Sequence, residues 1–179
     1  MVEVLPRTRP LPGQAGRHSG VTVTAAPAMT RFSLRTKRPE GLPEKILSTA
    51  AFAGGTALCL GPDEWLLLLP DGAPPPAIAG VHALVDIGHR NMGIMVEGLD
   101  AAGLLQTGCA LDLATAAFPV GKATRTLYET VEIVLWRQAE DRFHVEVWRS
   151  FAPYLSAALD LAAGDIIEKP SNGSQYAAA

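Results

Sequence analysis

Five consecutive apolar residues, Trp65-Leu66-Leu67-Leu68-Leu69, set the reading of the surrounding chain. The run is too short to cross a membrane and is closed by Pro70-Asp71-Gly72, so it predicts a buried strand. Just upstream, Leu58-Cys59-Leu60 reads as a second apolar strand. Gly61-Pro62-Asp63-Glu64 joins the two, with Pro fixing φ and Asp able to bond its own backbone. A strand apolar on both faces needs cover on both sides. The pattern therefore places this pair centrally in a layered domain.

From the N-terminus, residues 1–28 are rich in Pro, Gly and polar side chains. They predict a flexible arm with at most a short strand at Val21-Thr22-Val23-Thr24. Arg31-Phe32-Ser33-Leu34-Arg35-Thr36 alternates as a half-buried strand does. Residues 44–53 suggest a short helix, and Pro74-Pro75-Pro76 a stiff connector. His82–Ile87 and Met92–Glu97 predict the next two strands, with a turn over Gly88-His89-Arg90-Asn91 between them. Asp100 stands where an N-cap should, ahead of a helix carrying Ala101, Leu104 and Leu105, with Gly108 as its stop.

Three strands follow at residues 124–129, 131–137 and 143–149. Centring the last hairpin on Glu140 sets Leu135 against Val145 and Ile133 against Val147, so the apolar faces agree. Ser150 reads as the cap of a final helix whose stripe is Phe151, Tyr154, Leu155, Ala158, Leu159 and Ala162, ended by Gly164. The fold class this predicts is α+β: antiparallel strand pairs covered by helices, with strand–strand–helix units at 82–108 and 131–164. The domain runs over 29–165, with halves at 29–73 and 80–165, and residues 166–179 form a disordered tail.

Composition narrows the function. Of the 179 residues, 48% are hydrophobic and 18% charged, the latter below the usual quarter, which fits burial in an assembly. A net charge of −3 argues against a nucleic-acid partner. Arg31, Arg35, Lys37 and Arg38 read as a solvated strand edge. Cys59 and Cys109 lie in apolar segments, as buried thiols of a reducing cytoplasm do. No apolar leader or membrane-length run interrupts the chain, so a cytoplasmic location is expected.

Candidate chemistry is sparse. His18, His82, His89 and His144 have no metal-ligand or triad spacing, and His144 reads as a surface or interface side chain. Asp86 and Arg90 suggest a buried pair holding their turn. No glycine-rich loop leads from strand to helix, and Asp100 at a helix start would repel phosphate.

The segment Leu60-Gly61-Pro62-Asp63-Glu64-Trp65-Leu66 resembles a signature of the gamma subunit of heterotetrameric sarcosine oxidase. The likeness continues through Val85–Arg90, Gly98–Ala102 and Trp148-Arg149-Ser150-Phe151, and covers roughly 29–165. It marks Gly61, Pro62, Asp63, Glu64, Trp65, Asp86, Arg90, Arg149 and Ser150 as structural motif residues. The resemblance implies a non-catalytic subunit of a complex that oxidatively demethylates sarcosine to glycine with tetrahydrofolate. It further implies FAD, FMN, NAD and tetrahydrofolate in the larger subunits and none in this chain, with the alpha subunit's folate-binding part as neighbour.

Val85–Arg90 and Val96–Gln106 also resemble the folate-binding aminomethyltransferase family. That likeness implies a two-half folate-binding fold. It leaves an alternative, a free-standing folate-binding protein with Glu132 and Asp86 as its carboxylates. The family's paired glycines are missing around Glu132. Finally, the side of the 131–149 hairpin turned away from the last helix carries Val134, Trp136, His144 and Trp148. Either the first half of the chain covers it, or Trp136 or Trp148 is buried against another subunit.

Overall fold

A computed structural model describes residues 17–18, 20–37 and 40–167. In chain order the elements are β1 (Arg17–His18), β2 (Val21–Ala25), β3 (Met29–Thr36), β4 (Thr49–Phe52), β5 (Gly55–Gly61), β6 (Glu64–Pro70), β7 (His82–Asp86), β8 (Asn91–Glu97), α1 (Ala101–Gln106), β9 (Ala123–Tyr128), β10 (Val131–Ala139), β11 (Arg142–Trp148) and α2 (Ala152–Ile167). They form an α+β fold built on two antiparallel sheets. A six-stranded sheet has the order β1-β2-β8-β11-β10-β9, and a five-stranded sheet the order β4-β5-β6-β3-β7.

The strand alternation sorts side chains into three cores. On one face of the six-stranded sheet, Val23, Ile94, Val96, Ile133, Leu135, Val145 and Val147 meet Leu104, Leu105, Leu155 and Leu159 of the two helices. Between the sheets lie Leu58, Leu66, Leu68, Ile87, Ala123 and Val134. On the far face of the five-stranded sheet, Phe32, Leu34, Trp65, Leu67 and Leu69 are closed over by Leu42, Ala73 and Ile78. β6 is the middle strand of its sheet, and its side chains alternate between the second and third cores. Its unbroken apolar run is thus explained: each large side chain buried contributes about 1.5–3 kcal/mol on either face.

The hairpin β10–β11 has the expected register, with Leu135 opposite Val145 and Ile133 opposite Val147. Elsewhere the structure departs from the sequence reading. Residues 44–53 are not helical: they run through turns into β4, which pairs with β5, and Leu47 and Ala53 have positive φ. Β-sheet pairing has overridden local propensity there. β7 and β8 are not a pair. β7 joins β3, whereas β8 lies between β2 and β11, so the turn at 88–90 carries the chain from one sheet to the other. The chain thus crosses between the sheets twice, from β2 to β3 and again at this turn.

The arm expected over 1–28 contains β1 and is structured again from Gly20 onward. Val21 and Val23 are buried under the helices, and β2 completes the six-stranded sheet. Asp100 occupies the N-cap position of α1 but makes no side-chain capping bond; only its backbone carbonyl accepts, from Leu104 N–H. α2 starts two residues after Ser150 and continues past Gly164 to Ile167, into the stretch expected to be tail. Its buried stripe is Ala152, Leu155, Leu159 and Ala163, so Phe151 and Tyr154 are exposed. Residues 1–16 and 168–179, and with them most of the arm and tail readings, lie outside the described residues.

Candidate inter-sheet site

Charge is concentrated where the two sheets face one another. Arg31 extends from β3 and Glu146 from β11, and both are buried. The Arg31 Nε donates to both carboxylate oxygens of Glu146, at 2.8 and 3.0 Å, and its Nη1 donates to the Met29 carbonyl at 2.9 Å. His144, two residues along β11 and equally buried, places Nε2 2.7 Å from Glu146 Oε1. Burial alone would raise the Glu146 pKa. The hydrogen bond and charge of His144, joined by Arg31, outweigh it and leave the carboxyl below its ordinary range.

Two expectations are corrected here. Arg31 is no part of a solvated edge; of its cluster, Arg35 and Lys37 are exposed and Arg38 lies outside the described residues. His144 is not a surface side chain. Strand alternation puts it on the face opposite α2, and that face is covered by the five-stranded sheet. The signal was in the sequence, because Val134 and Trp136 share that face and an apolar face demands cover.

The signature around Gly61 builds the rim. Pro62-Asp63 forms the tight connection between β5 and β6, with Gly61 paired to Glu64. Asp63 Oδ1 accepts from Arg35 at 3.0 Å. Glu64 turns into the cleft and accepts from Arg35 at 3.1 Å and from Arg125 of β9 at 2.6 Å, so it ties the sheets together. The Arg125 hydrogen bond is the chief reason its pKa is lowered, against the opposing effect of burial. Trp65 points the other way, into the outer core, where its indole N–H donates to the Pro43 carbonyl at 2.8 Å.

The remaining motif residues sit at one corner of the same cleft. Asp86 is exposed and accepts from Gly88 N–H at 2.7 Å, an Asx turn. It forms no buried pair with Arg90, as the sequence had suggested. Arg90 is also exposed, bonds Asn91 Oδ1 at 3.2 Å and lies over the Trp148 ring, 5.4 Å from its centroid. Phe151 packs beside Trp148 with ring centroids 6.4 Å apart. The Arg149 N–H donates to the Arg90 carbonyl at 2.6 Å, and Ser150 follows in the turn before α2. Trp136 is partly buried against the inter-sheet core, its ring 5.9 Å from that of His144. Trp148 remains 44% exposed.

The inter-sheet cleft itself leaves little room for a cofactor. The cavity lined by Ser33, Glu64, Arg125, Glu132, Glu146 and Trp148 amounts to about 40 Å³. That suits a few waters, whereas ligand pockets run to about 300–1,000 Å³. The Glu132 side chain is 54% exposed and 3.6 Å from Arg125, and Asp86 is exposed and occupied by the Gly88 N–H. Neither helix is entered by a glycine-rich turn suited to a flavin or nicotinamide phosphate. Among the described residues no His, Cys, Asp and Glu cluster in the manner of a metal site, and no helix is long and apolar enough to cross a membrane. Cys59 and Cys109 are buried free thiols.

The sarcosine oxidase gamma subunit of an Arthrobacter species is 34% identical over 115 residues, covering 59% of this chain and 55% of the relative. That of Corynebacterium sp. strain P-1 is 30% identical over 142 residues, covering 75% and 70%. The aligned region thus spans little more than half of the first relative's length. Among solved structures, a chain of the heterotetrameric sarcosine oxidase from Corynebacterium sp. U-96, in complex with pyrrole 2-carboxylate, superposes with TM-score 0.71 at 23% identity and 88% coverage of both chains. The glycine cleavage system aminomethyltransferase T of Bartonella henselae gives 0.61 at 14% identity, covering 85% of this chain and 51% of that one. Both share the fold. Residues 24–165 match the sarcosine oxidase, gamma subunit family, and over that length the chain belongs to it.

Proposed function

We propose that this protein is a non-catalytic subunit of a heterotetrameric sarcosine oxidase that oxidatively demethylates sarcosine to glycine with tetrahydrofolate. The observation that carries the reading is the match of residues 24–165 to the sarcosine oxidase, gamma subunit family. In the inter-sheet cleft, Arg31, Glu146 and His144 occupy the space with one another. FAD, FMN, NAD and tetrahydrofolate then belong to the larger subunits, and this chain stabilises the assembly, with the alpha subunit as its immediate neighbour. Two buried free thiols suit a cytoplasmic location.

The test is co-expression with the larger subunits of a heterotetrameric sarcosine oxidase. The wild-type chain is expected to co-purify with a flavin-containing, sarcosine-oxidising complex and to be colourless alone. Flavin retained by the isolated chain through gel filtration, or a chain that never joins the complex, overturns the reading. The folate-binding alternative is addressed by Glu132→Gln in the assembled complex. Sarcosine turnover stays near wild type on our reading, and a fall of about a hundredfold with assembly intact restores the alternative.

A further inference from the structure

β7 ends the five-stranded sheet with its outer edge uncovered. It pairs with β3 on one side, from Phe32–Asp86 to Thr36–His82, and among the described residues with no strand on the other. Four of its five residues are exposed, and Leu84 alone is partly covered. The other edge strands offer less: β9 alternates buried and exposed positions and meets β5, β4 is only four residues long and β1 only two.

The ladder shows which backbone groups are available. Ile87 N–H donates to the Arg31 carbonyl at 2.9 Å, so Arg31–Ile87 is a hydrogen-bonded pair. Antiparallel pairs alternate, which makes Ser33–Val85 and Arg35–Ala83 the next bonded pairs along the strand. The N–H and C=O groups of His82, Leu84 and Asp86 consequently point outward. None of them has a backbone partner among the described residues. Such an edge is a template for another strand unless Pro, Lys or a bulge protects it. Residues 82–86 contain no Pro and no Lys, and their pairing is regular.

Side chains beside this edge define what it accepts. Val85 is 55% exposed and Val81, just before the strand, 95% exposed. Val81, His82 and Ala83 line an open groove together with Arg35, Lys37 and Asp63. Arg35 is already neutralised by Asp63 and Glu64, whereas Lys37 has no ion pair among the described residues. The groove thus carries an uncompensated positive charge.

We propose that β7 is a docking edge for an extended segment of a larger subunit of the complex, apolar beside Ala83 and Val85 and acidic where it passes Lys37. This rests on the subunit reading above and supplies its contact: strand addition, in which backbone bonds give affinity and alternate side chains give specificity.

Residue-resolved hydrogen exchange on the isolated chain and on the assembled complex tests it. Assembly should protect the amides of His82, Leu84 and Asp86, while those of Ala83 and Val85, already bonded to β3, change little. His82→Pro removes one outward donor and spares the β3 ladder. Its melting temperature should match wild type while affinity falls roughly two- to tenfold, the value of one backbone bond. Val85→Lys provides a second variant that keeps the backbone intact and should weaken assembly likewise. If the complex forms without new protection at residues 82, 84 and 86, the docking edge is overturned and the subunit reading stands. If no complex forms, the subunit reading fails first. If the isolated chain dimerises with the same protection, the occupant is a second copy and the proposal is wrong.

Discussion

Arg31 and Glu146 are 115 residues apart in sequence and meet at 2.8 Å across the interface of the two sheets. Without Glu146, Arg31 would keep only the Met29 carbonyl; without Arg31, Glu146 would keep only His144. Removing one partner of such a pair costs about 3–5 kcal/mol, while replacing both by neutral groups of similar size costs far less. Arg31→Ala is therefore expected to lower stability to urea by about that amount, and Arg31→Met with Glu146→Gln to recover most of it. A loss under about 1 kcal/mol for Arg31→Ala would show that water screens the site.

The same cluster predicts an acid limit to stability. Glu146 and Glu64 both have carboxyl pKa values below the ordinary glutamate range. The folded state then binds protons less readily than the unfolded chain, and stability rises with pH wherever that difference persists. Their contribution is complete above the unfolded glutamate pKa of about 4.3. It is lost as pH falls from there through the folded values. Urea midpoints measured from neutrality down to about pH 3 should drop most steeply below that point. Glu64→Gln should flatten part of the drop, and a profile unchanged by that substitution would contradict the assignment.

Glycine substitutions separate two situations that look alike in sequence. Gly98, in the turn before α1, has φ +124, and a Cβ there would run into the Gly20 carbonyl. Gly164 lies inside α2, and a Cβ on it would meet nothing within 4 Å. Gly98→Ala is expected to destabilise by roughly 1–3 kcal/mol. Gly164→Ala should stabilise by about 0.5–1 kcal/mol, since Ala is the better helix former. Thermal melts of the two single variants decide it; equal effects of either sign would mean that the turn at Gly98 adapts.

What was legible in the sequence follows the reach of each interaction. The β10–β11 register could be read because a short hairpin fixes it by local alternation, and β6 because an unbroken apolar run has few other homes. The separation of β7 from β8 could not, since a tight turn between two strands looks the same whether they pair or part. Residues 44–53 look helical in isolation, but β5 supplies an open ladder that only the assembled sheet reveals. The Arg31–Glu146–His144 cluster stayed hidden for the same reason. A polar residue alternating with apolar ones reads as solvent-facing until a second sheet is known to cover it.

Trp136 and Trp148 share a face of the hairpin but differ in what covers it. The five-stranded sheet reaches Trp136, which packs on the inter-sheet core with its indole nitrogen buried and without an acceptor. Its cover stops short of Trp148, which stays 44% exposed beneath Arg90 and beside Phe151. An exposed tryptophan flanked by an arginine and a second aromatic has the composition of an interface anchor. Trp136→Ala should therefore lower the melting temperature of the isolated chain. Trp148→Ala should melt near wild type but assemble more weakly, by about 2 kcal/mol, or roughly thirtyfold in affinity. Melting of the purified variants and titration of each against the larger subunits give both quantities. Normal assembly of Trp148→Ala would place the partner contact elsewhere, leaving the β7 edge to be judged on its own exchange pattern.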